Sequence, residues 1–125
     1  MLIEIKMKIP GSTMQQRKFS GKKSYPTMGL RVARATWQAA LEPHAPEEPA
    51  KKAVSLKLGF HYHHDKKEGL KTTRPDLDNL AKIVIDAMVT TGYLVNDAQI
   101  VSLCAEKKYT YGAEKIIFEI KEMEE

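Results

Sequence analysis

The chain has 125 residues, 42% apolar and 29% charged, enough for one compact domain over 1–125 and too few for two. No apolar run approaches the roughly 18 residues of a membrane span. Glu4 and Lys6 interrupt the N-terminal apolar stretch, excluding a signal-peptide core, and the single Cys104 excludes a disulfide framework or a Cys-rich zinc site. The net charge of +4 understates the polarity of the molecule. Residues 119–125 hold four Glu and one Lys, which leaves 19 Lys and Arg against 12 Asp and Glu in 1–118. That balance suits a polyanionic partner and, with the lone cysteine, a cytoplasmic setting.

Residues 2–9 alternate, with Ile3, Ile5, Met7 and Ile9 on one face, and predict a half-buried strand ended by Pro10-Gly11. Residues 11–27 read as a long polar loop carrying Arg17, Lys18, Lys22 and Lys23. Thr27 is placed to cap a helix running to about Glu42, with Leu30, Ala33, Trp37 and Leu41 at helical spacing and Pro43 as its stop. Val54, Leu56, Leu58, Phe60 and Tyr62 predict a second alternating strand. A basic loop follows, with Lys66, Lys67, Lys71 and Arg74, and leads into a second helix from Asp76 or Asp78 to Thr91, stopped by Gly92. Residues 99–109 and 115–123 read as two strands joined as a hairpin. The order β-α-β-α-β-β predicts an α+β domain: a four-stranded mixed sheet with two helices packed on one face.

The second helix departs from a generic pattern. Leu80, Ile83, Val84, Ala87 and Met88 form a core stripe, yet Ala81, Ile85 and Val89 are apolar as well. Burial against a second subunit, a homodimer, accounts for this; deep burial in one larger core is the alternative. Asp78, Lys82 and Asp86 lie in one line at i, i+4 and i+8, and Asp76 precedes them. Capping of the helix start would explain one such acid. Two acids, a lysine one turn inside, and Asp97 returning from the turn at Asn96-Asp97 suit a hard divalent cation, Mg²⁺ or Mn²⁺, of the kind used in phosphoryl transfer.

Other motifs fail. Asp76-Leu77-Asp78-Asn79 opens like a calcium loop, but Leu80 and Ala81 break it. There is no GxxxxGK[ST], GxGxxG or HExxH. His61, His63 and His64 lack a further ligand to complete a metal site and read as a solvated strand end.

The stretch RPDLDNLAKIVIDAM (74–88), followed by GYLVNDAQIV (92–101), resembles the signature of the RusA-type Holliday junction resolvases. That resemblance implies a small homodimeric, Mg²⁺-dependent endonuclease of phage or bacterial origin, acting in DNA recombination and repair by paired nicking of opposing strands at a four-way junction. It implies Asp76, Asp78 and Asp97 as metal ligands, and Lys82 as the catalytic lysine acting on the phosphate. Asn79 would support the ligands from behind, and Arg17, Lys18, Lys22, Lys23, Lys66, Lys67, Lys71 and Arg74 would contact the DNA backbone. No membrane and no small-molecule cofactor are expected. The alternatives are a non-catalytic basic nucleic-acid-binding module, and a metal nuclease acting on flaps or other branched DNA.

Overall fold

Val54–His63 buries alternate residues and is paired with a strand on each edge. In the computed structural model the described residues are 1–12, 17–20 and 23–124, with backbone alone for 17–20 and 23–26. The strands are β1 (Leu2–Lys6), β2 (Arg17–Ser20), β3 (Lys23–Pro26), β4 (Val54–His63), β5 (Gly69–Leu70), β6 (Ile100–Thr110) and β7 (Lys115–Glu122). The helices are α1 (Met28–Leu41) and α2 (Leu77–Thr91), with short 3-10 turns at Glu42–His44 and Asp97–Gln99. The main sheet is mixed and five-stranded, in the order β1-β7-β4-β6-β5, with β4 parallel to β6 and antiparallel to β7.

Three expectations are corrected. The sheet has five strands, because Gly69 and Leu70 in the basic loop pair with Tyr109 and Lys108 at the edge of β6. Part of the supposed loop 11–27 is a separate antiparallel ribbon of β2 and β3. Two- and four-residue strands are too short to show a period in the sequence. The last two strands are not a hairpin, since β4 lies between them and 111–114 step across its end.

One face of the sheet is covered. Val54, Leu56, Leu58 and Phe60 of β4 and Ile116, Phe118 and Ile120 of β7 are buried, whereas the alternating Lys57 and Glu4 are exposed. Both helices therefore lie on the same side, as expected. Trp37 of α1 meets Phe60 edge-on with ring centroids 6.2 Å apart. Thr27 caps α1 by accepting from the Leu30 amide at 3.1 Å. Gly92 ends α2 with φ of 93°, a conformation that glycine adopts without strain.

The apolar excess on α2 is largely absorbed within the chain's own core. Leu80, Ile83, Val84, Ala87, Met88 and also Ala81 are buried, and Ile85 and Val89 pack half-buried against the same core. Single-core burial thus explains Ala81, and only Ile85 and Val89 retain exposed surface.

Candidate functional site

The site forms where α2 passes the edge of β6. Asp76 occupies the N-cap position of α2, yet its side chain makes no capping bond; only its backbone carbonyl takes part, accepting from the Leu80 amide at 3.1 Å. Asp78 accepts from the Asn79 amide at 3.0 Å. Asn79 is the only buried polar residue among those described, 8% exposed. Capping therefore does not account for Asp76.

Asp97 is carried on a turn that needs nothing from it. Asn96 caps the 3-10 turn by accepting from the Ala98 amide at 2.8 Å. Gln99 closes a capping box, its Oε1 accepting from the Val95 and Asn96 amides. The Gln99 amide nitrogen also donates to the carbonyls of Ala50 and Lys52 at 2.8 and 2.9 Å. Tyr93 adds a second anchor, donating to the Leu41 carbonyl at 2.7 Å. The turn is thus stapled to the segment before β4, with the Asp97 carboxylate exposed and in no ion pair among the described residues.

Asp78, Lys82, Asp86 and Asp97 line one cleft of about 350 Å³, walled by Ala81, Ile85, Ile100 and Leu103. Asp76 is not part of its lining. Among the described residues no group of three or more His, Cys, Asp or Glu side chains is close enough to hold a metal ion. Of the three expected ligands, Asp78 and Asp97 are thus brought into one cleft, with Asp76 outside its lining. Helical rise spreads the acids along α2: at 1.5 Å per residue, Asp76 lies about 15 Å along the axis from Asp86. Asp86 and Asp97 line both this cleft and a neighbouring one with Arg34 and Gln38, so Asp97 borders the middle of α2 as well as Asp78 in its first turn. Mutual repulsion of like charges also favours separation. The donor set still fits a hard cation: carboxylate oxygens, exposed or half-buried, in no ion pair with a described basic group.

The basic loop packs around Tyr109 of β6. Lys67 and Lys71 place their ammonium groups 4.8 and 5.0 Å from its ring centroid, and Lys71 lies 4.8 Å from that of Tyr62. The Thr73 hydroxyl, at 3.1 Å, and the neighbouring Lys71 hold the Tyr109 phenol below its usual pKa. Lys66, Lys67 and Arg74 are exposed, and none of these cations is paired with a described carboxylate. Lys22 and the side chains of Arg17, Lys18 and Lys23 lie outside the described residues. The histidines do not cluster. His63 is committed through both ring nitrogens to the Gly112 carbonyl and Asp65, while His64 packs against Tyr109.

Sequence reasoning overlooked Gln99 and Lys107 as scaffold, and noted Asp86 only as part of a line. The i, i+8 spacing from Asp78 was the available signal for Asp86, and the Asn96-x-x-Gln99 capping-box spacing was the signal for Gln99; Lys107 acts through backbone carbonyls, which no motif displays.

The family described as Endodeoxyribonuclease RusA matches residues 9–121. The chain belongs to the RusA endodeoxyribonuclease family. It is also similar to a protein of Lactococcus phage r1t described as a crossover junction endodeoxyribonuclease rusA, 40% identical over 75 residues. That match covers 56% of this chain and 57% of the phage protein's length. Family membership spans both acid-bearing segments, the start of α2 and the turn at Asp97. No helix among the described residues is long and apolar enough to cross a membrane.

Proposed function

We propose that the chain is a divalent-metal-dependent endonuclease that resolves four-way DNA junctions by paired nicking, in recombination and repair, and that it is of phage or prophage origin. The observation that carries this reading is that Asp76 and Asp97 stand where structural work would be expected of them and perform none, one lacking a capping bond and the other riding on a turn capped by Asn96. Acids kept exposed without a structural task, on two segments of one family signature, are accounted for by a ligand.

Asp76, Asp78 and Asp97 would hold Mg²⁺, or Mn²⁺ in its place. When bound, the ion supplies charge neutralisation at the scissile phosphate and a more acidic attacking water. Lys82, in the cleft with Asp78 and Asp97, directs its ammonium toward phosphoryl oxygens, where negative charge grows during cleavage. Asn79, buried beside Asp78 and donating its backbone amide to the Asp78 carboxylate, would support the ligands from behind. Lys66, Lys67, Lys71 and Arg74, with Arg17, Lys18, Lys22 and Lys23, carry phosphate contacts that position the junction without reading its sequence.

A junction presents two opposing strands, and two copies related by a two-fold axis present two sites. A homodimer is therefore part of the proposal. Its seam is the β6 edge beyond the reach of β5, together with Ile85. Val101 and Leu103 there are 63% and 49% exposed.

A labelled four-way junction incubated with Mg²⁺ tests the reading. Wild type should release paired nicks, and Asp97→Asn and Lys82→Ala should each lower the rate by at least about a hundredfold while binding the junction as before. Faster cleavage of flaps or plain duplex would move the substrate to another branched or linear DNA. An Asp97→Asn protein that nicks at the wild-type rate would end the metal-site reading.

A further inference from the structure

The lead into α2 is gripped from the sheet. Lys107 of β6 stands opposite the buried Phe60 of β4 and so projects from the covered face. Its ammonium donates to the carbonyls of Thr73 and Pro75, both at 2.6 Å. Two residues on, and on the same face, the Tyr109 hydroxyl lies 3.1 Å from Thr73 Oγ1 and 3.5 Å from Lys71 Nζ. The Lys71 amide donates back to the Lys107 carbonyl at 3.4 Å. Residues 71–75 are thus fixed at both side chain and backbone by two neighbouring positions of one strand.

Lys107 is half-buried and in no ion pair with a described carboxylate. A cation close to a helix N-terminus opposes the helix dipole, so the position is not explained by helix stability alone. The restraint falls on the carbonyl immediately before Asp76, whose own side chain leaves the capping position unbonded.

We infer that Lys107 is a positioning residue. It holds the start of α2 from outside and takes over the anchoring that a capping Asp76 would supply, so that the Asp76 carboxylate stays available to a ligand. Tyr109 reinforces the same clamp through Thr73. The part concerning the ligand rests on the reading of Asp76 as a metal ligand; the clamp itself does not.

The test uses the full chain with Lys107→Met, Lys107→Arg and Tyr109→Phe, read by amide hydrogen exchange and by calorimetric titration with Mg²⁺ alone. In Lys107→Met, exchange at the Leu80 amide should accelerate about tenfold, while the Tyr93 amide, bonded to the Met88 carbonyl at the far end of α2, keeps its wild-type rate. Mg²⁺ affinity should fall about tenfold, as for loss of a group that orients a ligand. Lys107→Arg should recover part of both. Tyr109→Phe keeps the ring and should shift both in the same direction by less, so the inference stays testable if Lys107→Met fails to fold. Equal acceleration at the two ends of α2, or none, would overturn the clamp. Unchanged Mg²⁺ affinity beside a loosened first turn would overturn the positioning role. If wild type binds no Mg²⁺ and cuts no DNA, the metal reading falls, and the exchange data still decide the clamp.

Discussion

At the scale of single residues, His63 offers the clearest consequence of local chemistry. The Gly112 carbonyl at 2.9 Å and the Asp65 carboxylate at 2.7 Å raise its pKa above the ordinary histidine value. A raised folded-state pKa means that the folded protein binds the proton more tightly than the unfolded chain. The associated stability is fully present below the unfolded value of 6.5 and is lost as pH rises through the folded value. An NMR titration of the His63 ring should therefore give a midpoint above 6.5, and Asp65→Asn should lower it toward 6.5. A midpoint at or below 6.5 in the wild type would contradict the two bonds. His61, two residues away, shifts the other way because burial and the nearby Lys108 and Lys115 disfavour its charge. Two histidines in one sequence run thus behave oppositely.

At the scale of elements, the two turns that carry the acids are held in different ways. Asn96 closes its turn with a capping box, whereas α2 starts without a side-chain cap. Replacing Asn96 with Ala should cost about 1 kcal/mol of unfolding free energy. Asp76→Ala should change it by less than about 0.5 kcal/mol, as for a surface site with no bonded partner. Denaturant unfolding of both variants measures the contrast. Equal losses would return Asp76 to an ordinary capping role.

At the scale of the whole molecule, the sheet is covered on one face, and among the described residues it is open at the outer side of β1 and along part of β6. β5 protects only the end of β6 near Tyr109, leaving the outer edge at Val101 and Leu103 with no further strand among the described residues. Leu103 also walls the cleft with Asp78 and Asp97, so an interface along this edge would adjoin the acids. Leu103→Glu should shift sedimentation from dimer to monomer at micromolar concentration, because a charge buried at an apolar seam is costly without a partner. A wild-type protein that sediments as a monomer would remove the dimer, and with it the paired geometry.

Both long helices, the central strand and the identity of the acid-bearing segments were legible in the sequence because each rests on a local period or spacing. Leu30, Ala33 and Trp37, or Leu80, Ile83 and Ala87, declare a face by repetition every three or four residues. Thr27 declares a start by its hydroxyl and Gly92 an end by its backbone freedom. The pairing of β4 between β6 and β7 was not legible, since a strand's alternation says which side is buried and nothing about its neighbour. Nor was the distance from Asp97 to the start of α2, which depends on how Gln99 and Tyr93 fasten one turn to segments some fifty residues away. Lys107 was silent for the same reason. Its partners are backbone carbonyls, identical in every residue, so only the tertiary structure could assign it to them.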